Sequence, residues 1–159
     1  VKVTKQTLVL GIGNTLLTDE GIGVHVVHSL QKESSPQTNT TYLDGGTLSF
    51  TLAEPIESCQ QLIVVDASEL KSSPGTVRVF ENEDMDRFIS TGNQKSVHEV
   101  GLVDVMSIAM LAGRLPQRRA LVGIQPDSLG WGAEPTEPVK QAIPEACNQV
   151  KNLLQRWQR

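Results

Sequence analysis

Cysteine is scarce in this 159-residue chain: Cys59 and Cys147 stand far apart and match neither a zinc-ligand spacing nor a redox pair. That excludes a disulfide-stapled scaffold and suits a reduced compartment, with both thiols expected among buried core groups. Long apolar runs are missing too. The longest, Leu8 to Gly13 and Ile108 to Gly113, fall far short of the roughly 20 residues a membrane-spanning helix needs. Lys2 and Lys5 ahead of a strand-length run do not make a secretory signal. There is no surplus of positive charge: the net charge is -4, with Lys and Arg scattered, which argues against a nucleic-acid surface. Internal repeats and low-complexity tracts are likewise lacking. The expectation is a cytoplasmic monomer with no nucleic-acid or membrane partner. At 17.3 kDa, residues 1–159 suit a single domain able to bury a core without staples.

What the chain does have is an alternation of strand and helix patterns. Thr7 to Ile12 is a short apolar run closed by glycines, as in a strand buried on both faces. Ile22, Val26 and Leu30 then recur at helical spacing, with His25 and His28 elsewhere on the wheel. Thr40 to Asp44 reads as strand two, Leu48 to Glu57 as a short helix interrupted near Pro55, and Gln61 to Ala67 as strand three. After the Pro74-Gly75 turn, Thr76 to Phe80 alternate as an antiparallel edge strand would. Glu81 to Val97 is polar and reads as a surface loop with at most a short helix. His98 to Ala112 and Val139 to Trp157 read as helices, the second kinked at Pro144, and Arg119 to Ile124 as the last strand. The predicted architecture is a three-layer α/β/α sandwich around a mostly parallel five-stranded sheet.

In such a sheet the loops leaving the carboxyl ends of neighbouring strands form a crevice where ligands bind. Glu20 follows strand one, Asp44 ends strand two, Asp66 ends strand three, and His98 sits at a predicted helix start. A helix start favours neutral imidazole, which can donate a lone pair. Glu20, Asp66 and His98 thus make a candidate metal site of two carboxylates and one imidazole, suiting zinc, nickel or copper and leaving coordination positions open. Each residue also has a plainer reading: Asp66 as a loop cap, Glu20 as a first-turn helix carboxylate, His98 as a capping or surface group. His25 and His28, three apart in one helix, permit a shared ligand only if carboxylates from elsewhere join them. Trp131 is flanked by glycines within a Pro- and Gly-rich stretch, Gln125 to Pro138, a poor setting for a core residue and a candidate substrate contact.

Gly11-Ile12-Gly13 followed by Asp44 also suggests a dinucleotide-binding unit, in which the acid would hold a ribose. Against this, Leu16 stands where the third glycine belongs. Asp19 and Glu20 sit where a pyrophosphate needs positive potential. A non-catalytic metal-sensing docking module would use the same residues as an enzyme.

Five motifs in order, Gly11-Ile-Gly-Asn-Thr-Leu-Leu-Thr-Asp-Glu-Gly-Ile-Gly23, Asp44-Gly-Gly-Thr47, Val65-Asp66-Ala67, His98-Glu-Val-Gly-Leu102 and Gly123-Ile-Gln-Pro126, cover nearly the whole chain. The sequence resembles the hydrogenase maturation proteases. The resemblance implies an endopeptidase that removes a C-terminal peptide from the precursor large subunit of a nickel-iron hydrogenase after nickel insertion. It implies that Glu20, Asp66 and His98 engage nickel carried by the substrate, with no permanent cofactor. It further implies substrate positioning or catalytic assistance by Asp44 with Gly45, Gly46 and Thr47, and support of Glu20 by Asp19. Ser49 departs from the glycine many members carry. Two chemistries fit: metal-assisted hydrolysis, or acid–base work by Asp66, Glu20 and Asp44 with nickel only a recognition element.

Overall fold

The computed structural model describes residues 5–35, 39–91 and 101–158. Strand β1 (Thr7–Ile12) is buried along its whole length, as an apolar run must be when helices cover both faces of a parallel sheet. The other strands are β2 (Thr40–Gly46), β3 (Gln61–Ala67), β4 (Val77–Glu81) and β5 (Arg118–Ile124). They form a five-stranded sheet in the order β2-β1-β3-β5-β4. All neighbours pair in parallel except β4, which runs antiparallel to β5 at the edge. β3 is as fully buried as β1, whereas β4 keeps the half-exposed pattern of an edge strand. The architecture is the α/β/α sandwich expected from the sequence, edge strand included.

Helices α1 (Ile22–Glu33), α2 (Ala53–Ser58), α3 (Glu83–Ser90), α4 (Leu102–Leu111), α5 (Glu137–Lys140) and α6 (Ile143–Trp157) cover the sheet. On one face Val9, Ile63, Val65 and Val122 meet Ile22, Val26 and Leu30 of α1 and Val150 and Leu153 of α6. On the other, Leu8, Leu10, Val64 and Leu121 meet Ile56 of α2, Met85 of α3 and Leu102 and Val105 of α4. Each such buried aliphatic side chain contributes roughly 1.5–3 kcal/mol, so both faces are needed to hold the sheet.

Two elements differ from the sequence reading, for identifiable reasons, and a third forms the short helix that the reading allowed. Pro55 does not interrupt a helix. A 3-10 turn at Phe50–Leu52 precedes α2, and Pro55 falls in the first turn of α2, where a missing N–H costs no helical bond. Pro144 likewise starts α6 rather than kinking a longer helix, and the short α5 stands apart from it. The polar stretch after β4 is a two-turn helix. In α3 the acids Glu83, Asp84 and Asp86 occupy the first turn, which suits the positive end of the helix dipole, while Met85 and Ile89 are buried. Asp86 also grips Arg119 through bonds of 2.9 and 2.5 Å, fastening α3 to β5. The expected helix start at His98 falls outside the described residues.

The connection from β1 leads to β2 on one side, while β3 lies on the other. A crevice therefore opens between the carboxyl ends of β1 and β3, the switch point of the sheet. α1 sits low over this point because its second residue is Gly23: a Cβ there would lie 2.1 Å from the Val65 carbonyl oxygen. Any side chain would lift the helix and the loop that feeds it.

Candidate active site

The loop from Gly13 to Gly21 folds back over the end of β1. Gly13 adopts φ +139°, and a Cβ on it would lie 1.9 Å from the Glu20 carbonyl oxygen, so only glycine allows the return. Its N–H donates to the Gly46 carbonyl at 2.7 Å, coupling the loops after β1 and β2. Asn14 N–H donates to Glu20 Oε2 at 2.8 Å. Glu20 is thereby turned inward at the end of a 3-10 turn, Thr18–Gly21, and is 4 % exposed. With that amide engaged by Glu20, the first turn offers a carboxylate where a dinucleotide's pyrophosphate needs positive potential.

Asp66 enters from β3 and is fully buried. Val65 and Ala67 belong to the α1–α6 side of the core and Val64 to the α2–α4 side, so alternation along the strand turns Asp66 toward the α4 side. Burial raises its carboxyl well above the usual range, and the charge of Glu20 pushes it further the same way; a hydrogen bond from the Ala67 backbone opposes them. Two carboxyls sharing a desolvated crevice favour a state in which one is charged and the other holds a proton. That is the equipment of an acid–base pair.

Asp44 is not brought to this pair. It pairs in register with Gly11 on the edge of the sheet, follows Tyr42 onto the α1 face, and lies 2.9 Å from His28 Nε2. Its other oxygen accepts the Gly46 N–H at 2.9 Å, holding Gly46 at φ +55°. Asp44 therefore braces the Gly45-Gly46-Thr47 turn, and through the Gly46 carbonyl the Gly13 loop. Thr47 is exposed beside the crevice, and the Ser49 hydroxyl bonds that of Thr51 at 2.5 Å. His28 is committed to Asp44, and burial lowers the affinity of His25 for a proton. Among the described residues no three His, Cys, Asp or Glu side chains converge as a metal site. Glu20 and Asp66 supply two donors, and His98 lies outside the described residues.

Asp19 supports the site by a route the sequence did not disclose. It points away from the crevice and accepts four hydrogen bonds, from Asp127 N–H at 2.9 Å, Ser128 N–H at 2.9 Å, Thr136 N–H at 2.7 Å and the Thr136 hydroxyl at 2.7 Å. The loop carrying Trp131 is thus tied to the residue preceding Glu20. Gln125 was also missed: its buried amide accepts Leu70 N–H at 2.7 Å and joins the loops after β3 and β5. Its place in the Gly123-Ile-Gln-Pro126 motif was the available signal.

The model of the hydrogenase maturation protease family (HycI) matches residues 24–153. The chain belongs to this family. It is 40% identical over 154 residues to the hydrogenase expression/formation protein HupD of Rhizobium leguminosarum bv. viciae, covering 96% of this chain and 75% of that protein. It is 37% identical over 150 residues to the hydrogenase 2 maturation protease of Escherichia coli K12, covering 94% of this chain and 90% of that protein. The structure superposes on the hydrogenase maturating endopeptidase HybD from E. coli with a TM-score of 0.87 and 36% identity, over 95% of this chain and 93% of that one.

In this family member the two thiols stand apart from the crevice chemistry. Cys147 is buried in α6 against α1, and burial pushes the half-buried Cys59 thiol up to about 11. Neither is a ready thiolate nucleophile. No described helix is long and apolar enough to cross a membrane.

Proposed function

We propose that this chain is a cytoplasmic, monomeric endopeptidase that removes a C-terminal peptide from the nickel-loaded precursor of a nickel-iron hydrogenase large subunit. The observation that carries the reading is the buried Glu20–Asp66 pair at the switch point of a hydrogenase maturation protease fold. Glu20, Asp66 and His98 recognise nickel held by the precursor, so the metal is part of the substrate and the enzyme needs no resident cofactor. When bound, nickel supplies positive charge that compensates two carboxylates in a dry crevice. The ionised carboxyl of the pair takes a proton from the attacking water, and the protonated one returns a proton to the departing amine, an exchange typically worth 10²–10⁴-fold in rate. Asp44 works from the other face by holding Gly45, Gly46 and Thr47 against the Gly13 loop, where they position the peptide. Trp131 adds a substrate contact.

The test is intact-mass analysis of nickel-loaded and nickel-free precursor incubated with wild type or Glu20→Gln. Loss of a C-terminal peptide from the nickel-loaded precursor alone, and only with wild type, is the expected result. Binding without any mass loss would leave a metal-sensing docking module in its place. Equal cleavage of both precursors would remove nickel from the recognition step.

A further inference from the structure

Three large apolar side chains stand in solvent on the loops at the carboxyl end of the sheet: Leu16 is 58 % exposed, Phe50 60 % and Trp131 84 %. They come from three loops, those following β1, β2 and β5. Leu16 and Trp131 are neighbours by register. Thr18 N–H donates to the Gly132 carbonyl and Gly132 N–H to the Leu16 carbonyl, both at 2.9 Å. This is a parallel bridge of Leu17 with Gly132 that sets Leu16 beside Trp131.

The ledge is held stiffly. The Thr18 hydroxyl donates to the Ser128 carbonyl at 2.5 Å and approaches the Gly130 carbonyl at 3.1 Å. Thr18 itself sits at φ +47°, an unfavourable region for a β-branched residue that persists only when surrounding bonds impose it. Gly132 must be glycine here, since a Cβ would meet Thr18 Cγ2 at 2.7 Å. Asp19 anchors the far end of the same loop. An exposed tryptophan beside a leucine, on a loop whose backbone these bonds already fix, has the composition of a binding anchor with its backbone ordering cost reduced in advance.

Charge selects the partner. The three loops, residues 13–21, 45–52 and 125–136, contain Asp19, Glu20, Asp127 and Glu134 and no Lys or Arg. Asp127 and Glu134 are exposed on the loop that carries Trp131; Glu134 lies 4.0 Å from the Lys140 ammonium, a loose exposed pair, so Asp127 is the acid there with no cation beside it among the ion pairs of the described residues. Such a surface attracts a segment that combines a large apolar side chain with a basic one, the cation being drawn both by the carboxylates and by the indole face.

We propose that Leu16 and Trp131, with Phe50 on the β2 side, form a preformed ledge that docks an apolar-and-basic surface segment of the precursor, outside the residues that undergo cleavage. The inference rests on the endopeptidase reading but concerns binding, not chemistry. The experiment compares wild type, Leu16→Ser, Trp131→Ala, their double variant and Trp131→Phe in steady-state processing of the nickel-loaded precursor. Affinity of each for the precursor is measured separately in a Glu20→Gln background. The double variant is expected to raise KM and weaken binding about tenfold or more while kcat stays within about twofold. Trp131→Phe should recover most of the loss, and added salt should raise the wild-type KM. Unchanged affinity and KM in the double variant, or a fall in kcat alone, would overturn the ledge. So would a wild-type dimer that the double variant dissociates, since the occupant would then be a second copy. If wild type binds but does not cut, the endopeptidase reading fails, and the affinity series still decides the ledge.

Discussion

Asp19 and Glu20 are sequence neighbours, both buried, and the fold uses them in opposite ways. Asp19 is satisfied outright by four short bonds from the loop after β5, so its charge is spent on holding structure. Glu20 is aimed into the crevice, close enough to Asp66 for its charge to resist ionisation of that second carboxyl. A single step of backbone separates a carboxylate anchored to the loop after β5 from one that faces Asp66. The lesson is that burial alone does not mark a functional carboxylate. What distinguishes the pair is like charge brought together in a desolvated place.

The largest effect that would break this contrast lies in activity. Glu20→Gln and Asp66→Asn should each lower processing of the nickel-loaded precursor by about 10²-fold or more while circular dichroism and thermal unfolding remain those of a folded protein. Near-wild-type mass conversion in both variants would return Glu20 and Asp66 to structural roles. The converse variant is Asp19→Ala, which leaves Asp127, Ser128 and Thr136 amides without their acceptor. At about 1–3 kcal/mol per buried donor left unpaired, the expected loss is about 3–5 kcal/mol after partial access of water. Tm should fall by roughly 10 °C, at about 2–4 °C per kcal/mol for a domain of this size. A Tm within about 2 °C of wild type would mean that the loop after β5 does not depend on Asp19.

The same contrast shows what was legible in the sequence. β1 and β3 were readable to the residue because strands buried on both faces must be apolar throughout, and the loops at their carboxyl ends follow from the parallel order. Glu20 and Asp66 could be found by that rule. The role of Asp19 could not, because its partners lie 108 to 117 residues away and all but one of its bonds come from backbone amides, which any residue supplies. Asp44 was expected at the right end of the sheet and beside the cleft, but the structure turns it onto the α1 face, away from Glu20 and Asp66, because one residue of strand alternation decides the side and its pairing with His28 is a tertiary event. Pro55 and Pro144 misled because a proline signals the same missing donor at a helix start as in its middle; only the neighbouring turns say which. In α3 the run of acids concealed the spacing of Met85 and Ile89.

A subtler difference between the two kinds of carboxylate is in pH dependence. In the folded chain Asp66 holds its proton to a higher pH than the roughly 3.9 of an unfolded aspartate. Below that value both states are protonated and the group costs nothing. As pH rises from there toward the folded-state pKa, the unfolded chain releases the proton first and stability is lost, about 1.4 kcal/mol for each unit of separation. Asp66→Asn should therefore unfold at higher denaturant than wild type at neutral pH, with the gap closing toward pH 4. A variant less stable than wild type at pH 7 would show that Asp66 is compensated in the free protein.

The smallest effect belongs to the third acid. The Asp44–His28 pair is about half exposed on both sides, and exposed pairs contribute only about 0–1 kcal/mol. His28→Ala is thus expected to shift Tm by no more than about 3 °C. Its consequence should appear instead in the loop that Asp44 braces: with His28 gone, the carboxylate that accepts the Gly46 N–H is less firmly oriented, and the Gly46 carbonyl is less firmly presented to Gly13. Amide hydrogen exchange should accelerate at Gly46 and Gly13 and remain unchanged at Asp127 and Ser128, which answer to Asp19. Acceleration at all four would merge the two regions into one cooperative unit. Separate responses would establish that the crevice is framed by two independent braces, one on each side of Glu20.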